Sequence, residues 1–481
     1  MLVLFSICVS GSSSAAAESD NDRPNILLIL ADDLAWSDCG YQGHPWHQTP
    51  NIDRLAASGV VFTNAYAPAP ICSASRASIL TGKTPARLNF EFVTKNEPGR
   101  QQLDAITKLR APPFTLNLPL AEVTFAEHLQ SAGYRTAFFG KWHLNAHHGG
   151  YLGWSPEFGP AAQGFDTTVD DFGAHPYAWR KQSVEPIESY GRYPNDSLIN
   201  RVCEYLQDAP ASPFLAMASL YHVHTPVRTP CSWLLETYNR RVPSDAVRRD
   251  NRIRYGAFVE TLDHHVGQIL NALEQSGQAD NTLVVFTSDN GGHPEYAANG
   301  PLRGSKWNLY EGGMRVPLIV RWPDRLPAGT TSDRPVTGFD LWATFATLNG
   351  NAPSQNVDAD GISLLQGEDF RLRSNEQPPR ELIWHFPYYH PERGYKDAPD
   401  EIGVDDFQTS RTKPHSAIRM GRHKLLYFFE DDRVELYDLH TDIAEQTDLS
   451  HQQPELAADL TRRLHRRLEQ MNARRPEPAT Q

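Results

Sequence analysis

The amino-acid sequence predicts an α/β protein with a large, doubly wound, mostly parallel sheet flanked by helices, followed by a smaller C-terminal α+β subdomain with an antiparallel sheet. Short apolar runs at residues 25–30, 134–139, 214–220 and 282–287 have the length and composition of strands buried on both faces. Helix-like segments lie between these runs, and such alternation is typical of a parallel sheet covered by helices. Short strand-like runs near the C-terminus, separated by turn residues, indicate the antiparallel sheet.

Turn and capping residues predict the other elements of the larger domain. A helix over 49–58 is closed by Gly59, and a helix over 124–132 is closed by Gly133. A long helix over 255–274 precedes the last apolar strand. A further strand over 317–322 and a helix over 339–348 complete the domain.

The composition of the chain changes after these elements. Residues 349–377 are rich in Gly, Asn, Asp and Ser, a composition that favours a linker between two structural units. Three strand-like runs and a terminal helix follow, at 416–419, 423–429, 434–438 and 454–472. We therefore predict an N-terminal domain over 18–360 and a C-terminal subdomain over 361–481.

Length, charge and cysteine content exclude several classes of protein. The chain has 481 residues, enough for a sizeable core, and no apolar run long enough to span a bilayer. Its net charge of −13 argues against nucleic acid and anionic membranes as partners. Residues 1–17 resemble a signal peptide without the usual basic start, so we expect export to a periplasm or secretion. Five cysteines do not make a disulfide scaffold, although one pair among Cys39, Cys203 and Cys231 stays open.

Two of the predicted strands end in adjacent oxygen-bearing side chains. Asp32 and Asp33 follow the first strand, and Asp289 and Asn290 follow the strand over 282–287. Ligand sites of open α/β sheets lie at the carboxyl ends of the strands, so we expect these side chains to meet. A single Asp there would more often cap a helix. Four oxygen donors without Cys or His favour Ca²⁺, with Mg²⁺ less favoured, over zinc.

Cys72 and Arg76 lie one helical turn apart in the run CSASRASILTG. Cysteine is often only a small buried apolar side chain. A cysteine with an arginine one turn away also suits a nucleophile that acts on an anionic substrate.

Basic residues follow further strands and loops. Lys141 and His143 belong to the run GKWH, His224 to HVHTP, and Lys306 precedes the run EGGMRVP. Each alone would more often be a solvated loop residue. Their joint occurrence behind successive strands favours one common site at the sheet edge.

In order and type, the motifs DD, CxAxR, GKWH, HxHTP and DNGG resemble those of the sulfatase family within the alkaline-phosphatase-like superfamily. The resemblance covers about residues 24–317 and resumes near the C-terminus. Ala74 stands where the family usually has proline, and Lys83 where arginine is commoner, which leaves the maturation system open. The resemblance implies that a maturation enzyme oxidises Cys72 to formylglycine, and that Ca²⁺ is bound by Asp32, Asp33, Asp289, Asn290 and the modified Cys72.

The resemblance also implies a two-step ester hydrolysis. One hydroxyl of the hydrated aldehyde attacks sulfur while Asp289 takes its proton, and His224 or Lys306 protonates the leaving oxygen. His143 then removes the proton of the second hydroxyl, which expels sulfate. His224 is preferred to His222 because it directly precedes Thr-Pro. The implied catalytic set is Cys72, Arg76, Lys141, His143, His224 and Lys306.

We expect the substrate to be a small-molecule or oligosaccharide sulfate ester, with a sulfated carbohydrate favoured. Aromatic and histidine residues at 43–47 and 384–390 either line a sugar site or pack within loops. Two alternatives remain open: a phosphonate or phosphate ester hydrolase of the same superfamily, and a calcium-dependent carbohydrate-binding protein in which Cys72 stays unconverted.

Overall fold

The computed structural model describes most of the chain. The described residues are 23–104, 107–181, 184–208, 213–348, 359–367, 369–374, 379–398 and 411–479. The leader predicted at 1–17 lies outside the described residues, as do 349–358, 368 and 375–377 of the linker predicted at 349–377.

Strands and short bridging strands alternate with helices along the described chain. The strands are β1 (Asn25–Ala31), β2 (Val60–Phe62), β3 (Ala65–Tyr66), β4 (Leu109–Arg110), β5 (Arg135–Gly140), β6 (Thr167–Val169), β7 (Phe214–Ser219), β8 (Thr282–Ser288), β9 (Leu318–Arg321), β10 (Thr330–Ser332), β11 (Val336–Thr337), β12 (Leu365–Gln366), β13 (Arg371–Leu372), β14 (Glu381–Phe386), β15 (His415–Met420), β16 (His423–Phe428), β17 (Arg433–Asp438) and β18 (Glu477–Pro478). The helices are α1 (Pro50–Ala57), α2 (Cys72–Thr81), α3 (Pro85–Leu88), α4 (Phe125–Ser131), α5 (Ser197–Gln207), α6 (Ser232–Arg241), α7 (Arg249–Gln275), α8 (Glu311–Met314), α9 (Asp340–Thr347) and α10 (Pro454–Gln470).

Eight strands of the described residues form the large sheet, in the order β10-β2-β9-β8-β1-β7-β5-β6. The pairings are parallel except those of β9, which runs antiparallel to both β8 and β2. The sheet is therefore mostly parallel, as predicted, and the strand predicted at 317–322 supplies its antiparallel member.

The two faces of the central strand β1 belong to two separate apolar cores. Leu27 and Ile29 pack with residues of α1, α5 and α7, whereas Ile26 and Leu28 pack with residues of α2, α4 and α9. Alternate side chains of a strand point to opposite faces, so a continuously apolar strand requires cover on both sides. This confirms the doubly wound arrangement.

The C-terminal sheet is antiparallel, as predicted, in the order β14-β15-β16-β17. One face, with Ile418 and Leu425, packs against Leu460 and Leu464 of α10. The other face packs against the larger sheet's loops, and includes Trp384 beside Tyr66. This second contact brings the C-terminal sheet close to the residues that follow β3. The division at residue 360 stays a prediction.

Two further sequence expectations are answered by the described residues. Cys39, Cys72, Cys203 and Cys231 are all free thiols there, so the disulfide left open by the sequence does not form among them. None of the helices described is long and apolar enough to cross a bilayer.

Candidate active site

The acidic residues meet where β1 and β8 end side by side. These strands are parallel neighbours with Ala31 opposite Ser288, so the residues that follow each strand emerge together. The Asp33 backbone N–H donates to Asp289 Oδ1 at 3.2 Å, and Asn290 Nδ2 donates to Asp33 Oδ1 at 2.7 Å. Asp33 has a left-handed backbone with φ of 63°, a conformation that Asp tolerates better than most residues. The pairing of the two strands is the physical reason for this cluster.

Cys72 is the first residue of α2 and points at the acidic cluster. Its Sγ lies 3.4 Å from Asp32 Oδ1 and 3.9 Å from Asp33 Oδ1. The side chain is 1% exposed. Burial, together with Asp32 and Asp289, raises the pKa of the Cys72 thiol, although Lys141 and Lys306 lower it. An unmodified Cys72 is therefore a neutral thiol, and a neutral thiol is a poor nucleophile.

Arg76 lies one turn along the same buried helix and contacts residues that follow two strands, β8 and β5. Its guanidinium contacts Asp289 Oδ2 at 2.8 and 2.9 Å, and its Nη1 donates to the Lys141 carbonyl at 2.9 Å. Burial opposes the charge, but Asp289 and Asp32 raise the pKa of Arg76. Arg76 therefore supplies a fixed positive charge and holds Asp289 in place.

Two lysines neutralise the aspartates beneath Cys72. Lys141, just after β5, forms an ion pair with Asp32 Oδ2. Lys306 Nζ lies 2.7 Å from both carboxylate oxygens of Asp33. Burial lowers the pKa of both lysines, but the neighbouring acidic groups raise it by more. Burial raises the pKa of Asp32, but Lys141 and the other nearby basic groups together hold it well below its usual value. The centre thus contains several fully charged groups shielded from bulk water.

Two histidines with different surroundings face the same centre. His143 has a left-handed backbone, and its buried Nδ1 has no hydrogen-bond partner among the described residues. His224 Nε2 lies 3.8 Å from Asp33 Oδ2, while its Nδ1 lies 2.6 Å from the Thr225 carbonyl. Burial, reinforced by neighbouring lysines, lowers the pKa of both rings. The preferred histidine of the HVHTP run is therefore at the centre, whereas the ring of His222 packs on Phe258 instead.

These residues open into a cavity of about 540 Å³. Cys72, His143, His224 and Lys306 lie among its walls. Sequence reasoning missed most of the outer wall, because its residues come from scattered loops without periodic spacing: Lys95, His147, Tyr151, His293, Trp307 and Glu392. Lys95 Nζ and Glu392 Oε2 form an ion pair at 2.6 Å, and Trp307 stacks on His390 at 3.7 Å between ring centroids.

Most of the aromatic segments considered from the sequence pack in the interior. Trp384 Nε1 donates to the Ala67 carbonyl, and His385 contacts Ser416 and the Arg474 carbonyl. His47 is buried and contacts the Asp38 carbonyl. These side chains are therefore packing residues, and of the two segments His390 alone is among the residues that line the described cavity.

The donor set at the strand ends fits a hard divalent cation. Ligand atoms of Asp32, Asp33, Cys72 and His224 lie within 4.8 Å of one another. The buried Asn290 Oδ1 has no hydrogen-bond partner among the described residues. Carboxylate and amide oxygens are the ligands that Ca²⁺ prefers, so the Asp32 and Asp33 carboxylates and the unsatisfied Asn290 oxygen suit such an ion.

Comparison with known proteins gives concordant results. A family model described as Sulfatase matches residues 24–351, and one described as N-sulphoglucosamine sulphohydrolase, C-terminal, matches residues 305–474. A sulfatase of Formosa agariphila is 32% identical over 97% of this chain and 92% of its own length. The N-acetylgalactosamine-6-sulfatase of Canis lupus familiaris is 34% identical over 76% of this chain and 69% of its own. The crystal structure of Ps i-CgsB in complex with k-i-k-neocarrahexaose shares 26% identity and a TM-score of 0.69, with 93% of each chain covered.

Proposed function

This chain belongs to the sulfatase family of sulfuric ester hydrolases, and from that membership we propose that it hydrolyses sulfate monoesters of a carbohydrate. We further propose that Cys72, once oxidised to formylglycine, carries the nucleophile and that Ca²⁺ is bound by Asp32, Asp33, Asp289, Asn290 and residue 72. One observation carries the proposal: Cys72 Sγ lies 3.4 Å from Asp32, within a buried group of paired carboxylates and lysines, and lines a cavity.

The burial of Cys72 supports a modified nucleophile. A neutral, buried thiol is unsuited to attack on sulfur. The hydrated aldehyde supplies a hydroxyl that forms the sulfate ester and a second hydroxyl whose deprotonation releases it. Although Cys72 lines the cavity, all residues of α2 are buried, so a maturation enzyme cannot bind this segment in the folded protein. We therefore propose that a maturation enzyme acts on this segment before folding is complete.

The positive charges suit a sulfate group. In a site shielded from water, fixed cations stabilise the charge that develops on the sulfate oxygens much more strongly than they would in water. Lys141 and Lys306 are proposed to contact these oxygens, and Arg76 to orient Asp289. Bound Ca²⁺ would add a Lewis acid that polarises the sulfate.

The two histidines suit proton transfers on opposite sides of the sulfate. Asp289 is proposed to take the proton of the attacking hydroxyl, and His224 or Lys306 to give one to the leaving oxygen. His143, whose Nδ1 is unpaired among the described residues, is proposed to remove the proton that triggers release of sulfate.

The outer cavity supports a sugar as the esterified alcohol. A volume of about 540 Å³ is in the usual range for small-molecule sites. The Trp307–His390 stack offers an aromatic face, and the Lys95–Glu392 pair offers a hydrogen-bond donor and acceptors for hydroxyls or a second anionic group. The names of two similar proteins refer to a sulfated amino sugar and to a bound carrageenan-type hexaose, which agrees with this class.

Relative rates on matched esters test the proposal. We expect the purified enzyme to cleave 4-nitrophenyl sulfate at least about 100-fold faster, in kcat/KM, than the corresponding phenyl phosphonate monoester, because interactions matched to the reacting group dominate the barrier. A panel of singly sulfated monosaccharides then identifies the sugar. Preference for the phosphonate would establish the alternative hydrolase. Binding of sugar without any turnover, by protein from its native host in which Cys72 stays unconverted, would establish the binding protein.

Removal of divalent cations is expected to abolish hydrolysis. Dialysis against EGTA should lower kcat/KM by at least about 100-fold, because the aspartates would then repel the sulfate and the Lewis acid would be lost. Ca²⁺ should restore activity more fully than Mg²⁺, since the oxygen ligands are numerous and not arranged as a small rigid octahedron. Elemental analysis must verify that the dialysed protein is metal-free. Undiminished activity of such protein would contradict the calcium proposal.

We also propose that the protein is exported to a periplasm or secreted. The apolar leader at 1–17 supports this proposal.

A further inference from the structure

A second cluster of metal-binding side chains lies outside the cavity. Asp196, His222 and His265, here called the buried triad, come from the residue before α5, the loop after β7 and the middle of α7. They are 4%, 4% and 0% exposed. Their ligand atoms lie within 4.8 Å of one another, and His265 Nε2 lies 3.6 Å from Asp196 Oδ2.

Both imidazoles of the buried triad have an unsatisfied nitrogen. The Nε2 atoms of His222 and His265 are buried and have no hydrogen-bond partner among the described residues. His265 Nδ1 lies 3.1 Å from Gln268 Oε1, a carbonyl oxygen that only accepts hydrogen bonds. If Nδ1 donates to this oxygen in a neutral ring, the Nε2 lone pair faces the Asp196 carboxylate. Two electron-rich groups at this distance need a positive species between them.

The carboxylate of the buried triad is held in one orientation. Asp196 Oδ1 accepts from the Ile199 backbone N–H at 3.0 Å, and Oδ2 accepts from that of Ala174 at 2.8 Å. A Cβ at Gly173 would lie only 2.1 Å from Asp196 Oδ1, so the adjacent backbone approaches closely as well. Together with the contact of His265 to Gln268, these bonds resemble the outer partners that usually orient metal ligands.

We propose that Asp196, His222 and His265 bind one Zn²⁺ ion in a buried site distinct from the calcium centre. Two imidazole nitrogens and one carboxylate oxygen suit zinc, whereas Ca²⁺ prefers oxygen ligands throughout. Zinc bonds of about 2.0–2.2 Å require the three ligand atoms to move closer together, and a water would complete the tetrahedron. This inference goes beyond sulfate hydrolysis and does not rest on it.

The other histidine and carboxylate group of the larger domain does not offer the same free nitrogens. In the group of Asp38, His44 and His47, the His44 Nδ1 accepts from the His47 N–H at 3.0 Å, and the His47 Nδ1 lies 2.9 Å from the Asp38 carbonyl. Among the described residues, neither His44 nor His47 has a buried ring nitrogen without a hydrogen-bond partner, whereas both histidines of the buried triad have one.

Zinc in the buried triad would stabilise the loop that carries His224. The His222 carbonyl accepts from the Asp32 N–H at 2.9 Å, and the Val223 N–H donates to the Asp32 carbonyl at 2.7 Å. The loop is thus fixed to β1 on one side, and a metal on His222 would tie it to α5 and α7 on the other.

Metal analysis of the full-length protein tests the inference. Wild-type protein, kept in excess Ca²⁺ to fill the oxygen-rich centre, is equilibrated with micromolar Zn²⁺, gel-filtered and measured by elemental analysis. We expect one tightly held zinc per chain, and His265→Gln should lower the zinc affinity by more than about 100-fold, since even loss of an outer partner costs about 10–100-fold. His264→Gln is the matched control, because the adjacent His264 stacks on Tyr193 outside the triad.

Two further measurements keep the test decisive. When Co²⁺ replaces Zn²⁺, wild type and His264→Gln should show the visible absorption of a tetrahedral site. If His265→Gln fails to fold, Asp196→Asn takes its place as the test variant. Wild-type protein that retains no zinc would overturn the proposal. Equal zinc binding by wild type and the triad variants would overturn it as well.

Discussion

Cys72→Ala is expected to lower kcat/KM for sulfate esters by at least about 10⁴-fold, the scale on which loss of a covalent nucleophile acts. The remaining charges can still bind sulfate, but residue 72 then offers no hydroxyl that can form and later release the ester. Mass spectrometry of the Cys72 peptide from wild type should show a loss of about 18 Da, because oxidation to an aldehyde replaces sulfur by oxygen and removes two hydrogens.

Cys72→Ser is the matched control for this prediction. Serine keeps a hydroxyl at the same place, yet its sulfate ester cannot eliminate, so at most one turnover per chain is expected. Both variants are small replacements at a buried position, and circular dichroism should confirm that they fold. Full multiple-turnover activity of Cys72→Ala would refute the assignment of residue 72 as nucleophile.

The centre of the candidate site is predictable from the sequence because of strand pairing. Asp32 and Asp289 each follow a continuously apolar run, and parallel strands that lie side by side present their carboxyl ends together. Lys141 follows a third strand of the same sheet for the same reason. Residues that directly follow parallel strands of one sheet can therefore be assigned to a common site from the sequence alone.

The outer cavity is not predictable in this way, because its residues depend on how loops from distant parts of the chain pack. Lys95 and Glu392 are separated by nearly three hundred positions and meet through the contact between the two sheets. No periodic pattern marks either residue. His390 belongs to an aromatic segment that is mostly interior, so the sequence does not single it out.

The differences between the predicted and the observed fold have similar causes. The strand β14 is missing from the prediction, since its apolar residues run into Pro387 and further aromatics, a pattern equally typical of a loop or a sugar site. The helix predicted at 255–274 begins six residues earlier, at Arg249, because the exposed polar residues of its first turns show no apolar period. The antiparallel direction of β9 depends on the chain returning beside β8, which its own residues do not indicate.

A buried charge cluster joins the C-terminal sheet to the loop region that carries Lys306. Lys424 on β16 has its Nζ 2.9 Å from Glu311 Oε1 and 2.9 Å from Glu445 Oε1, and the side chains of all three are 0% exposed. Glu311 also contacts Arg315 Nε at 2.9 Å, and its N–H donates to Glu445 at 2.6 Å. Removing one partner from such a cluster leaves uncompensated buried charge.

Lys424→Met is expected to lower the free energy of unfolding by about 3–5 kcal/mol, because Glu445 and part of the Glu311 charge lose their cation in the interior. Urea unfolding measures this loss of free energy, and we expect the m-value to be unchanged. Lys83→Met is the matched control: its pair with Glu122 is 2.7 Å long, with side chains 19% and 22% exposed, and its removal should cost no more than about 1 kcal/mol.

The pH dependence of the stability lost in Lys424→Met provides an independent check that the buried charge of Glu445 causes the loss. Burial raises the pKa of Glu445 to about 7 in the folded protein, against an ordinary value of 4.5. A group with a raised folded pKa stabilises the protein fully below its unfolded pKa and loses that contribution as pH rises through the folded pKa. At pH 5 Glu445 is already protonated and does not need Lys424, so the loss in Lys424→Met should be smaller there than at pH 8. An equal loss at both values would mean that Glu445 takes no part in it and that the loss comes from the Glu311 pair or from packing, so the role assigned to Glu445 would be wrong.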